Sequence, residues 1–311
     1  MDPIEFFGNH TFRMVFLGTT VIGLVAGALG AFAYLRKQSL ISDVVAHSAL
    51  PGAMLAFLTA VVVLGVDGRN MLGLIIGAVT TGTFAALFAN LVASRTKIPI
   101  DTAMAVSLAV FFGAGMLLLR IITNGPFPGK GGIQDYLFGN ASVITIADLV
   151  TSTAVGAVAL VLMVVFWKEF VLRTFDPALS TVLGYRSAVI DTLMFTTIVI
   201  AIVIGVKAVG IVLMIAFVVT PPAAARQWTN TLPGLVVLSG AFGAIGSGAG
   251  AYLSINLGHV PTGPLIVLVL FLIFLISLLV SPRRSIVTTA LRRARAREAL
   301  RRELLTETTD R

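Results

Sequence analysis

The chain has no cysteine at all. That excludes a disulfide framework, a Cys-ligated zinc centre and an iron–sulfur cluster. It is also poor in charge. Only 12% of its 311 residues are Asp, Glu, Lys or Arg, and there are three histidines, against about 25% charged in an average soluble domain. With 57% hydrophobic residues and a mean hydropathy of +1.00, a soluble globular enzyme and a disordered chain are both excluded. Several catalytic signatures are missing as well. There is no Gly-x-x-x-x-Gly-Lys-Ser/Thr; the glycine-rich run from Gly125 to Gly131 is one residue short, with Gly131 after Lys130. His-Glu-x-x-His and Gly-x-Ser-x-Gly are absent too. The chain therefore carries no recognisable P-loop, zincin or nucleophile-elbow chemistry. If ATP is used, another chain hydrolyses it.

What is present is a series of long apolar runs. A membrane-spanning helix needs about 20 such residues. Segments 14–35, 44–65, 71–93, 101–121, 147–167, 188–206, 208–225, 234–256 and 264–281 meet that need. The expected fold is an all-α, polytopic integral membrane helix bundle of about nine spans. Eight are possible, because the tight turn near Lys207 could make 188–225 a re-entrant hairpin. The N-terminus does not read as a secretory signal, since Asp2 and Glu5 stand where a basic region belongs. Residues 1–281 form the membrane domain. Residues 282–311 form a basic tail with nine Arg and a net charge of +5 out of the chain's +8. The blander reading of this tail is a surface facing anionic lipid, not nucleic acid. With the tail inside, alternation puts 17 Lys and Arg on the inner side and 5 on the outer. This places the N-terminus outside and the C-terminus in the cytoplasm. Gly23 and Gly27, Gly73 and Gly77, and Gly246 and Gly250 have the spacing that lets helices approach closely.

Ionisable groups inside apolar spans are costly and mark functional sites by default. Asp43 and His47 are four residues apart, so on a helix their Cβ atoms are about 6 Å apart on one face. One carboxylate oxygen and one imidazole nitrogen can then hold a cation such as Mn(II), Fe(II) or Zn(II). Pro51 and Gly52 follow about one turn later, a helix break suited to lining a pathway. Spacing alone leaves a structural alternative equally open, in which Asp43 caps the helix and His47 bonds within the bundle. An ion pair of Asp43 with Arg36 or Lys37 is a third option. Asp101, Asp148 and Asp191, near span starts, read as partners of the helix macrodipole. Arg120 and Lys207 read as snorkelling cations, and His10 and His259 as solvated. From Phe175 to Gly184 the pattern gives a short helix: Asp176 as N-cap, Pro177 first, Gly184 at the stop. Pro221 and Pro222 are expected to disrupt a helix near its inner end.

Asp43-Val-Val-Ala-His47-Ser-Ala-Leu-Pro51-Gly52 resembles the signature of the manganese/zinc/iron permease family of ABC transporters. The segment with Phe175, Asp176, Pro177, Leu179, Leu183 and Gly184 resembles that family's cytoplasmic coupling segment. Tyr136-Leu-Phe-Gly-Asn140, the run from Val209 through Thr220-Pro-Pro-Ala-Ala-Ala-Arg226, and Pro261-Thr-Gly-Pro264 resemble three further blocks in the right order, across about residues 10–281. The doubled proline departs from the family pattern, and the tail has no family motif. The resemblance implies a transmembrane permease subunit that imports a divalent transition metal, manganese favoured over zinc or iron, in the cell membrane. No cofactor is permanently bound. The implied partners are two ABC ATPase subunits, an extracytoplasmic metal-binding protein and a second permease, the same chain or a homologue. Asp43 and His47 become expected metal ligands in the path, two such pairs giving four. The residues themselves also admit a secondary proton-coupled metal carrier, or a membrane protein without transport activity.

Overall fold

The computed structural model describes residues 8–36, 40–68, 70–131, 144–258 and 260–281; within these, the side chains of 40–42, 207, 208, 211 and 212 are not described. The described residues fold into helices and their connections. In chain order these are α1 (His10–Leu35), α2 (Leu40–Leu58) with a π-helical turn (Thr59–Val63), α3 (Met71–Arg95), α4 (Ile100–Asn124), α5 (Ile146–Val165), α6 (Trp167–Phe175), α7 (Pro177–Val182), α8 (Ser187–Val209), α9 (Ile211–Trp228), α10 (Leu232–Leu257) and α11 (Thr262–Val280). Eight of them are long and apolar enough to cross a membrane: α1, α2 with its π turn, α3, α4, α5, α8, α10 and α11. The ninth expected span corresponds to α9, an 18-residue helix outside those eight. Its first two side chains, at 211 and 212, are not among those described.

Polar side chains set several helix starts. Asn9 Oδ1 accepts from the Thr11 amide at 3.0 Å, and Asn70 Oδ1 from the Leu72 amide at 3.0 Å. Thr145 and Asp148 form a reciprocal capping box, satisfying donors that have no helical partner. Asp148 therefore does what its sequence position suggests, and Asp101 lies in the first turn of α4.

Helix α1 is the centre. It packs most extensively on α10, and also on α9, α8 and α5. Helix α2 packs between α3 and α4, and α8 crosses behind to touch α1, α3, α5 and α2. The glycine pairs explain the close contacts. A Cβ built at Gly23 or Gly27 would collide with the backbone carbonyls of Gly243 and Ser239, and one at Gly250 with the backbone of Ile266. Gly77 meets the Gly52 carbonyl in the same way, but Gly73 faces open space and is not a contact point. With no apolar driving force between helices in lipid, such backbone proximity supplies dispersion contacts. On the outside of the bundle Ile76, Phe84, Val110, Leu117, Val161 and Phe271 are exposed, a surface suited to hydrocarbon.

The turn between α8 and α9 is the single residue Gly210, at φ +87° and ψ 162°. This conformation is essentially restricted to glycine. The expected disruption at Pro221 and Pro222 does not occur, since α9 runs on to Trp228. Pro222 leaves the Val218 carbonyl without its helical donor, and Gly30 of α1 comes in directly against that carbonyl. Tight packing holds the helix where its hydrogen bonding is weakest.

Candidate metal-pathway site

Asp43 lies in the first turn of α2 and His47 one turn on. The structure brings them together. His47 Nδ1 is 3.0 Å from Asp43 Oδ1 and 3.0 Å from the Asp43 carbonyl oxygen. Both acceptors favour the tautomer in which Nδ1 carries the proton, so Nε2 keeps its lone pair. A hydrogen-bonded imidazole of this kind is held in one orientation for a metal. The two side chains are partly buried, with 25% and 17% of their surfaces exposed. Phe112 of α4 packs its ring edge-on to His47, centroids 4.8 Å apart, fixing the ring plane. Among the described residues no group of three or more His, Cys, Asp or Glu could hold a metal ion. Of these residue types, the described chain brings two together here, Asp43 and His47.

Pro51 lies inside α2 and leaves the His47 carbonyl without its i+4 donor. The next carbonyl, that of Ser48, accepts from the Thr81 hydroxyl of α3 at 2.8 Å. Gly52 sits against the Gly77 carbonyl, and Gly115 of α4 against Pro51 and Leu50. Helix α2 runs on through Pro51 to Leu58, so the expected break at Pro51 and Gly52 is only a missing hydrogen bond, braced from both sides by helices that come unusually close. Thr81 and Phe112 were not visible as site residues in the sequence, because their roles depend on α3 and α4 packing against α2.

The segment at Phe175–Gly184 folds as its sequence predicts. Asp176 Oδ1 accepts from the Leu179 amide at 2.9 Å, Pro177 opens α7, and Gly184 turns at φ +80°. Phe175, Leu179, Val182 and Leu183 are 61, 44, 82 and 59% exposed. Four large apolar side chains on one short segment form a surface left exposed among the described residues.

Asp191 departs from expectation. It lies in the second turn of α8, not the first, so the macrodipole is not its partner. It is 5% exposed and held by two guanidinium groups. Arg173 of α6 donates from Nε to Oδ1 at 3.1 Å and from Nη2 to Oδ2 at 2.7 Å. Arg36, the C-cap of α1, donates from Nη1 to Oδ1 at 3.0 Å. The hydrogen bond to Asp191, with its charge, raises the Arg173 pKa above the ordinary arginine value, against the opposing effect of burial. Arg36 is thus committed to Asp191 rather than to Asp43. A carboxylate one turn deeper than a capping position was the available signal. Tyr136–Asn140, His259, Lys37, Arg69 and the tail from 282 lie outside the described residues, as does the Lys207 side chain.

Residues 9–281 match the model of the ABC 3 transport family. The chain is 37% identical over 291 residues to the manganese transport system membrane protein MntC of Bacillus subtilis, covering 94% of this chain and 66% of that protein. It is 37% identical over 292 residues to the zinc transport system membrane protein TroC of Treponema pallidum, covering 94% and 96%. The solved structure of PsaBC from Streptococcus pneumoniae in complex with Fab superposes with a TM-score of 0.78 at 29% identity, covering 90% of this chain and 96% of that one. The family match spans every described helix, including the Asp43–His47 pair and the segment at α7. The chain belongs to the ABC 3 transport family and is a multi-pass membrane permease.

Proposed function

We propose that this chain is the membrane subunit of an ABC importer for a divalent transition metal, with manganese favoured and zinc or iron as other cargoes. The observation that carries the reading is the Asp43–His47 pair: one carboxylate and one oriented imidazole, partly buried, one turn before a proline inside the same helix. Oxygen and nitrogen donors of this kind suit Mn(II), Fe(II) and Zn(II). The relatives, named for manganese and for zinc, support the same class. Two copies, or one copy and a homologue, meet so that each contributes Asp43 and His47, giving four donors across a two-fold axis. Such a site replaces much of a hydration shell while staying weak enough to release its ion.

ATPase subunits dock on the exposed apolar side chains of α7, and their closure moves α6 and α7. An extracytoplasmic binding protein delivers the ion at the opposite face. The N-terminus is outside and the C-terminal tail inside, in keeping with the excess of basic residues on that side. The alternating exposure of Asp43 and His47 to the two sides is a conformational switch, not a chemical step. The test is uptake of Mn, Zn and Fe by the full complex in vesicles, comparing wild type with Asp43→Ala and His47→Ala at matched assembly. Loss of an outer-shell partner alone costs about 10- to 100-fold in metal affinity, so removal of a ligand should cut uptake of the true cargo at least that far. Unchanged uptake of all three metals in both variants would remove the pair from the path.

A further inference from the structure

The ion group around Asp191 joins three parts of the chain that the proposed transport cycle must move together. Arg173 lies near the end of α6, which runs through Asp176 directly into α7. Arg36 caps α1, seven residues before Asp43 of α2. Asp191 stands on α8, which packs on α1, α2 and α3. The contacts are of the kind that transmits movement. Arg173 grips the carboxylate with two donors, at 3.1 and 2.7 Å, and a forked guanidinium fixes orientation as well as distance. Arg36 is further held with its guanidinium 5.2 Å from the centroid of the Phe195 ring, one turn along α8. The three side chains are 6 to 17% exposed, so solvent screens them little.

The group also has the means to rearrange. Glu169 lies one turn before Arg173 on α6, and its Oε2 is buried without a hydrogen-bond partner among the described residues. Residues four apart on a helix are neighbours. A second acceptor is therefore available to Arg173 when its grip on Asp191 opens. An element with two discrete arrangements is what long-range coupling requires.

We propose that Asp191, gripped by Arg173 and Arg36, is the linkage that carries movement of α6 and α7 to the start of α2, and so to Asp43 and His47. The three are positioning residues and touch neither metal nor nucleotide. The inference rests on the reading of α7 as the ATPase contact and of Asp43 and His47 as path ligands.

The test is the ratio of metal taken up to ATP hydrolysed by the complete complex in vesicles, with manganese as the probe and zinc and ferrous iron run in parallel. The variants are Arg173→Gln and Arg36→Gln. Each cuts one link and leaves the Asp191 carboxylate one guanidinium partner. The expected result is a ratio lowered about tenfold, a magnitude ordinary for coupling between sites, with ATP hydrolysis continuing. A merely structural role would lower the amount of assembled complex and leave the ratio unchanged. The ratio does not depend on yield, so it is read on whatever fraction assembles. Wild-type ratios in both variants, or failure of both to assemble at all, would overturn the linkage. Asp43→Ala, measured in the same vesicles, separates the two readings. If it retains uptake, the path assignment fails first. If it abolishes uptake while both arginine variants keep the wild-type ratio, the linkage alone fails.

Discussion

Replacing Gly52 with alanine should loosen the bundle beside the proposed path, although the change adds one methyl group. A Cβ at this position would lie closer than 3.0 Å to the Gly77 carbonyl oxygen and carbon and to the Thr81 hydroxyl. Two of these three atoms are backbone, so no side-chain rotation relieves the clash, and α3 must move away from α2. The Thr81 hydrogen bond to the Ser48 carbonyl, 2.8 Å long, spans the same gap and would lengthen or break. Overpacking of this kind costs about 1–3 kcal/mol, and the lost hydrogen bond adds about 1 kcal/mol. Gly73, four residues before Gly77 on the same helix, is the internal control. A Cβ there meets nothing within 4 Å, and alanine inside a helix is favoured over glycine by roughly 0.5–1 kcal/mol. The two substitutions should therefore shift the thermal unfolding midpoint of the purified permease in opposite directions: down for Gly52→Ala, level or up for Gly73→Ala. Equal midpoints for the two variants would refute the claim that α2 and α3 meet at Gly52 and Gly77.

Two further outcomes follow from the connections. Gly210→Ala forces a side chain onto φ +87°, ψ 162°, at a cost of order 1–3 kcal/mol, and should lower the melting point and the yield of folded protein; an unchanged melting point would mean that α8 and α9 do not turn on that residue. Val182→Asp, at a side chain 82% exposed, should leave the permease stable but weaken co-purification with the ATPase, whereas undiminished co-purification would place the docking surface elsewhere.

Much of this was readable from residue order, and the parts that were not share a cause. Helix α7 was legible because its determinants are local. Asp176, Pro177 and Gly184 each act on backbone groups within a few residues. The Asp43–His47 contact was legible for the same reason, being fixed by helical spacing. Asp191 was misread because its partners come from positions 155 and 18 residues away, and no periodicity announces them. The prolines of α9 misled in the opposite direction. Local rules say that Pro221 and Pro222 break a helix, but Gly30 of a different helix packs against the freed Val218 carbonyl, so tertiary contact overrides the local penalty. The glycine spacings forecast close approach without saying which glycine makes it. Gly73 and Gly77 look alike in sequence, and only the rotation of α3 against α2 distinguishes them.

The placement of two donors per chain makes one more prediction, because sharing and independence give different arithmetic. If Asp43 and His47 from two chains hold one ion, their contributions to its binding free energy combine at a single site. A complex with one wild-type chain and one carrying both Asp43→Ala and His47→Ala then has half the ligand set for its only ion. Even the loss of outer-shell groups costs about 10- to 100-fold in affinity, so the mixed complex should transport far below half the wild-type rate, near the level of the doubly substituted pair. If each chain instead conducts by itself, the mixed complex keeps one intact path and half the rate. Co-expression of the two chains with different affinity tags, followed by two-step purification and uptake in vesicles, isolates the mixed species. A rate of one half would place a complete path within each chain and require further donors from that same chain. A rate near zero would place the ion between the chains, where the partial exposure of Asp43 and His47 leaves them available to a second set of ligands.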